Sequence, residues 1–151
     1  MEIRTEIEIE APPAEIWRVL TDFRRYSEWN PFIVGIAGEL SPGARLALTT
    51  SEPESNRERS FQVRVKSCEP ERELRWLGHR GMKGLLDGEH FLLLEPRGPD
   101  RTRVIHGENT SGLLLKFALA GVTRATRGFV YMNQALKKRV ESGAAARSRA
   151  P

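Results

Sequence analysis

Two histidines and a carboxylate interrupt the apolar pattern of this sequence. His90 sits in GEHFLLLE, residues 88–95, among Phe91, Leu92, Leu93 and Leu94; His106 and Glu108 sit in TRVIHGENTSG, residues 102–112. A carboxylate beside an imidazole tunes a base near neutral pH. Two histidines and a carboxylate also form a recognised metal-ligand set. The same groups can instead satisfy one another inside a core, where buried polar atoms need partners. Which chemistry applies depends on whether the strands that carry these residues turn them inward.

Strand alternation supplies the test, because side chains two apart share a face. Gly88, His90, Leu92 and Leu94 fall on one face of the first segment, and Val104, His106, Glu108 and Thr110 on one face of the second. If Leu94 pairs with Val104, then Leu92 meets His106 and His90 lies opposite Glu108, with Cβ atoms ~4.5–5.5 Å apart. That register buries Leu92, Leu94 and Val104 and draws His90, His106 and Glu108 in with them. The competing register buries Phe91, Leu93 and Ile105 and leaves the polar set in solvent. The first is favoured here. It predicts a His90–Glu108 pair, which is either a hydrogen bond that holds two strands together or a site in which Glu108 orients an imidazole facing a ligand. No helical or tight-loop spacing preorganises a metal set, and His79 lies near a strand end, so neither a metal nor a cofactor is expected.

The elements that must carry these residues are legible from period and punctuation. IRTEIEIE alternates Ile3, Thr5, Ile7 and Ile9 against Arg4, Glu6, Glu8 and Glu10, as a half-buried antiparallel strand does. Pro13 suits a first helical turn, where its missing N–H has no intrahelical partner to lose. Ile16, Leu20 and Phe23 follow at helical spacing. Asp22 can cap a second short helix that Pro31 closes. IVGIAGEL, ARLALTT, FQVRVKSCEP, ELRWLGHR, LLDGEHFLLLEP and RTRVIHGENTSG then read as six more strands, with the polar stretch 51–60 as a mobile hairpin tip. After Gly112 the period changes. Leu114, Ala118, Val122, Ala125, Phe129, Met132, Leu136 and Val140 form one stripe of a long amphipathic helix. That helix is the one element large enough to cover the apolar face of a seven-stranded sheet.

This order, with PPAEIWRVLTDFRRYSEWNPFI early, the DGEHFLLLEP strand, and HGENTSGLL leading into a helix that ends FVYMNQALKKRVE, resembles the START/Bet v 1-like (SRPBCC) superfamily. The polyketide cyclase/dehydrase-type small bacterial proteins are the nearest branch. The resemblance covers residues 2–141 and implies an α+β helix-grip fold. In it a seven-stranded curved antiparallel sheet wraps a long C-terminal helix, two short helices lie between strands one and two, and a hydrophobic cavity separates sheet from helix. Members bind lipids, sterols, polyketides or plant hormones, and a minority catalyse cyclisation or dehydration. They share no catalytic motif that could be carried over, and fold alone does not settle function.

Three functional readings follow. In the first the chain binds or transports a small hydrophobic molecule such as a lipid, isoprenoid or aromatic polyketide. Trp29, Phe32, Trp76, Leu92, Phe129 and Met132 then form the apolar wall, and His90, His106 and Glu108 the polar end. Each aromatic also has a plain packing role: Trp29 against Tyr26, Trp76 beside Leu74. Ala118 and Ala125, with Gly121 and Gly128, leave either free volume or a close helix–sheet approach. In the second reading a cyclase or dehydratase uses the His90/Glu108 pair for proton transfer. In the third the chain is a protein-interaction module, as in chaperone-activating relatives, with the basic tail or the 51–60 loop as its contact.

Composition narrows the rest. With 151 residues the chain is read as one domain, residues 1–141, followed by a basic, frayed tail over 142–151. The net charge of +4 resides entirely from residue 137 onward, leaving 19 basic and 19 acidic residues in the body. A nucleic-acid binder needs a basic patch on the folded body, so nucleic acid is not an expected partner. The lone Cys68 forbids an intrachain disulfide and suits a cytoplasmic location. MEIRTEIEIE holds no apolar block of a leader. The ten-residue run LLLKFALAGV contains Lys116 and falls far short of the ~20 residues that span a bilayer, so stable membrane insertion is not expected. A monomer or homodimer is anticipated. GxSxG, HExxH, CxxC and Gly-rich phosphate loops are all missing from the sequence.

Overall fold

The computed structural model describes residues 1–52, 54–117 and 119–148. Strand β1, Glu2–Ile9, leads into helix α1, Pro13–Thr21, a 3-10 turn over Phe23–Arg25 and the short helix α2, Tyr26–Trp29. Six strands follow: β2, Ile33–Ala37; β3, Arg45–Ser51; β4, Glu58–Glu69; β5, Glu73–His79; β6, Asp87–Gly98; and β7, Arg101–Ser111. A second 3-10 turn, Leu115–Phe117, precedes the long helix α3, Leu119–Ser148. The strands form one antiparallel sheet in the order β1-β7-β6-β5-β4-β3-β2, so chain-adjacent strands are neighbours from β2 to β7 and β1 closes onto β7. This is the helix-grip architecture.

The core lies between the inner face of the sheet and one side of α3. Ile9, Ile16, Leu20, Leu46, Leu48, Leu74, Leu92, Val104, Met132 and Leu136 are all sealed from solvent. Each such side chain contributes ~1.5–3 kcal/mol through burial alone. Tyr26 is buried as well, and its hydroxyl donates to the Leu20 carbonyl at 2.7 Å, so the short helices are stitched to each other.

Polar contacts fix how α3 lies. Its C-terminal half runs along β1: Lys137 Nζ donates to the Glu8 carbonyl at 2.9 Å, and the Glu10 amide donates to Glu141 Oε1 at 2.9 Å. Its N-terminal half reaches the β3–β4 loop through Arg124 to Glu52 and Arg127 to Glu54. The stretch predicted as a loose tip over 51–60 is therefore narrower. β3 extends to Ser51, β4 begins at Glu58, and the acidic residues between meet helix arginines.

Two further differences concern α3. Its regular turns begin at Leu119, because Gly112 and the 3-10 turn intervene, so Leu114 on the predicted stripe is 43% exposed; Ala118 lies outside the described residues. At the other end the helix continues to Ser148, through part of the segment predicted to fray. Extending a formed helix needs no new nucleus, and the alanines after Gly143 are the best helix formers. Residues 149–151 lie outside the described residues.

Candidate functional site

The observed β6–β7 register is the favoured one: Leu94 pairs with Val104, Leu92 with His106, and His90 with Glu108. Both histidines therefore point under the helix, His90 at 5% and His106 at 0% exposure. Trp76 of β5 pairs with His90 across the ladder, and its ring stacks flat on the imidazole, with centroids 4.8 Å apart and planes 2° from parallel. From above, Phe129 of α3 meets His90 edge-on at 5.2 Å and lies over His106 at 4.3 Å. Phe32 packs edge-to-face on Phe129 at 5.5 Å. Leu92 and Met132 are buried in the same core cluster.

Within this aromatic box a hydrogen-bond chain runs from sheet to helix and back. His90 Nε2 lies 3.1 Å from His106 Nε2, and His106 Nδ1 lies 2.8 Å from Asn133 Oδ1. Asn133 Nδ2 donates to Thr5 Oγ1 at 2.9 Å, and Thr5 Oγ1 donates to the His106 carbonyl at 2.8 Å. Every proton on this path can be placed from its far end. A carbonyl only accepts, so the Thr5 proton is committed to it, and Thr5 Oγ1 must accept from the amide nitrogen of Asn133. That turns Oδ1 of Asn133 toward His106, whose Nδ1 must carry hydrogen. A neutral His106 then offers a lone pair at Nε2, and His90 donates to it from its own Nε2–H. Nδ1 of a neutral His90 is left as a bare acceptor.

Both rings are held neutral. Burial pushes His106 down from 6.5 to about 4, and the hydrogen bond to Asn133 offsets only part of that. His90 is driven well below the usual imidazole value, first by burial and then by the neighbouring His106. A charged imidazole in this apolar box would lose its hydration without gaining a carboxylate partner. Chemically the pair can accept a hydrogen bond or a proton at His90 Nδ1, and it holds no acidic proton at neutral pH.

The predicted His90–Glu108 hydrogen bond is not formed. The ladder sets Cβ positions, but the His90 ring swings onto Trp76 and directs Nε2 at His106. The carboxylate of Glu108 instead accepts from Thr110 Oγ1 at 3.2 Å and lies over the bare backbone of Gly88, where a Cβ would sit 3.0 Å from Oε1. Among the described residues no three His, Cys, Asp or Glu side chains converge as metal ligands. Trp29 is also set apart. It packs on Tyr26 at 5.1 Å and lines a surface groove of 510 Å³ with Arg18, Asp22 and Arg139, between α1 and the C-terminal half of α3. A second surface pocket, 430 Å³, lies by Pro31 and Tyr131. Neither is lined by a histidine, and the space directly around His90 is filled by Trp76, His106 and Phe129.

Thr5 and Asn133 complete the chain, and neither was singled out as a site residue in the sequence. Thr5 does interrupt the isoleucines of β1, and Asn133 stands four residues after Phe129, on the buried side of the helix.

Toward one end of the sheet the inner face carries small residues. His90 lies three residues inside β6, ~10 Å from its start at ~3.4 Å per residue. Beyond it the inner face carries Gly88, paired with Gly78 of β5. On the helix Gly128 is tightly approached, a Cβ there falling 2.4 Å from the Phe32 ring, whereas a Cβ on Gly121 would meet nothing within 4 Å. The small residues thus do both things open to them: close packing at Gly128 and free space at Gly121. The rim of this end is apolar and exposed, with Met82 at 72%, Leu113 at 80% and Phe117 at 72%. Its two chain segments are joined by hydrogen bonds from the Leu113 amide to the Gly84 carbonyl and from the Leu114 amide to the Leu85 carbonyl.

Comparison with known proteins adds a family. Residues 1–142 match the family described as polyketide cyclase / dehydrase and lipid transport. No curated protein matches the sequence. Similar solved structures include a START superfamily protein from Mycobacterium smegmatis, with TM-score 0.75, 20% identity, and 93% of this chain and 97% of that one covered. The Zhui aromatase/cyclase of a Streptomyces species gives TM-score 0.73 at 13% identity, with 93% of each chain covered. Norcoclaurine synthase from Thalictrum flavum, in complex with dopamine and hydroxybenzaldehyde, gives 0.71 at 16%, with 94% of this chain and 87% of that one covered. At these identities the likeness is one of fold. No helix among the described residues is long and apolar enough to cross a membrane. The family match spans almost the whole sequence, and the chain belongs to the polyketide cyclase / dehydrase and lipid transport family.

Proposed function

We propose that this protein binds or carries a small hydrophobic molecule, which enters past Met82, Leu113 and Phe117 and lodges between the inner face of β5–β7 and the first half of α3. The observation that carries this reading is His90: an imidazole buried in an aromatic box, with one nitrogen committed to His106 and the other without a partner among the described residues. Ligand pockets are apolar enclosures with a few placed polar groups that fix orientation. Here Trp76, Leu92, Phe129 and Met132 supply the wall, Phe32 backs it, and His90 on His106 supplies the polar end. Glu108 sits beside Gly88 at the approach. Trp29 serves the distal groove rather than this wall. The free space at Gly121 gives a ligand somewhere to begin.

A cyclase or dehydratase is the second reading, favoured by the same lone pair, which can take a proton from a bound substrate. The His90→Ala variant separates the two. A carrier loses about tenfold in affinity, worth ~1.4 kcal/mol. An enzyme loses ~10²–10⁴ in rate while still binding. Titration of both proteins with a fluorescent naphthol probe, followed by turnover assays on aromatic polyketide analogues, reads both effects. Binding and turnover that ignore His90 would remove it from either role.

A further inference from the structure

The proton order of the buried chain specifies more than a polar end; it specifies which polar group a ligand must bring. The chain is anchored at the His106 carbonyl, a group that can only accept, and each link passes the donor role one step toward His90. No link can reverse alone. Turning Asn133 over would set its oxygen against Thr5 Oγ1, whose single proton is already given to a carbonyl. Moving the His106 proton from Nδ1 to Nε2 would set two lone pairs face to face at Asn133 and two N–H groups face to face at His90. The arrangement is fixed by Thr5 and Asn133, on β1 and α3, rather than by His90.

The consequence falls on the last atom. Nδ1 lies on the flank of the His90 ring away from His106. It has no hydrogen-bond partner among the described residues, although the side chain is 5% exposed. It is not sealed either: among the described residues the single fully enclosed side-chain nitrogen or oxygen without a partner is Nδ2 of Asn30. An acceptor that is desolvated but reachable costs stability while empty and rewards a donor that reaches it. Glu108, opposite His90 in the ladder, makes no hydrogen bond to it and is turned instead to Thr110 and Gly88.

Resting on the binding reading above, we propose that the site selects hydrophobic molecules that present a hydrogen-bond donor, a hydroxyl or a neutral N–H, to Nδ1 of His90, and that it rejects carboxylates and molecules whose only polar group is an ether or carbonyl. A phenol or an alcohol on an apolar skeleton matches both the aromatic wall and the lone pair. A carboxylate would set its own lone pairs against Nδ1 and would leave its charge without a partner in the apolar box.

Four probes of one skeleton test this: naphthalene, 2-naphthol, 2-methoxynaphthalene and 2-naphthoate. Their affinities are measured by titration at pH 7.5 for the wild type and for His90→Phe, which keeps the stack on Trp76. In parallel, nitrogen-15 NMR of the histidine rings reads which nitrogen of His90 carries hydrogen. The expected result is a hydrogen-bearing Nε2 and a bare Nδ1, with 2-naphthol binding about tenfold more tightly than 2-methoxynaphthalene and 2-naphthoate binding most weakly. The preference for naphthol over the methyl ether should vanish in His90→Phe. Equal binding of naphthol and its methyl ether, or a hydrogen on Nδ1, overturns donor selection while leaving hydrophobic binding intact. Failure of all four probes to bind overturns the binding reading itself, and donor selection with it.

Discussion

Acid should unfold this protein earlier than its carboxylates require, and the cause is the buried imidazole pair. In the native state His106 titrates at about 4, whereas in the unfolded chain it takes up its proton near 6.5. Between those values the unfolded state binds more protons, so stability falls as pH falls; above pH 6.5 the contribution is fully present. For His106 alone the loss at pH 5 is roughly 2 kcal/mol, approaching ~3 kcal/mol near pH 4. His90 is displaced in the same direction, so the pair should cost about 2–4 kcal/mol between pH 7.5 and pH 5. Glu73, Glu141 and Asp87, whose pKa values are also lowered, act with the same sign, but their contribution is lost mainly as pH falls through and below their ordinary values of 4.5 and 3.8, beneath this window. Urea unfolding followed by tryptophan fluorescence at pH 7.5, 6 and 5 measures the slope, and ~2 kcal/mol corresponds to a midpoint shift of about 1 M at a typical m-value. The double variant His90→Phe/His106→Leu should be less stable at pH 7.5 but flat across the same interval. A wild-type midpoint that does not move between pH 7.5 and 5 would refute the claim that these rings are buried and neutral.

Other substitutions probe separate parts of the account. Asn133→Leu removes the acceptor of His106 Nδ1–H and the donor to Thr5, and should cost ~1–3 kcal/mol by leaving a buried N–H unpaired; urea midpoints check it. Gly128→Ala forces a Cβ into the Phe32 ring and should destabilise by ~1–3 kcal/mol, whereas Gly121→Ala meets open space and should stabilise by up to ~1 kcal/mol through helix propensity. The same chemistry on one helix thus yields opposite signs in thermal melts. Leu113→Ser with Phe117→Ser should change stability by no more than ~0.5 kcal/mol because both side chains are exposed, yet should slow uptake of an apolar probe in stopped-flow fluorescence.

Much of this architecture was legible because its signals are periodic. The alternation of β1, β6 and β7 announced the strands and favoured the observed register without excluding the other, because Phe91 and Ile105 on the opposite face are buried as well. What pattern could not supply was the direction in which a ring turns once inside. His90 and Glu108 are ladder partners as predicted, but stacking on Trp76 and the lone pair of His106 decide where Nε2 goes. Asn133 was within reach of the sequence: a polar residue four after Phe129 and three before Leu136 belongs to the buried stripe, and a buried amide implies a partner. The helix boundaries were the weakest reading at both ends. The apolar run before Leu119 continues the helical period without the backbone to use it, and the alanines beyond Val140 continue the helix without an apolar face to announce it.

The central claim is that a hydrophobic molecule occupies the space between sheet and helix, and native mass spectrometry of the protein purified from its own host tests it most directly. A reproducible one-to-one adduct that vanishes on denaturation, and that yields a hydroxyl- or N–H-bearing apolar compound on organic extraction, is the predicted result. A bare polypeptide mass, together with no response to a fluorescent lipid probe, would contradict it and leave His90, His106, Asn133 and Thr5 as the polar seam of a filled core.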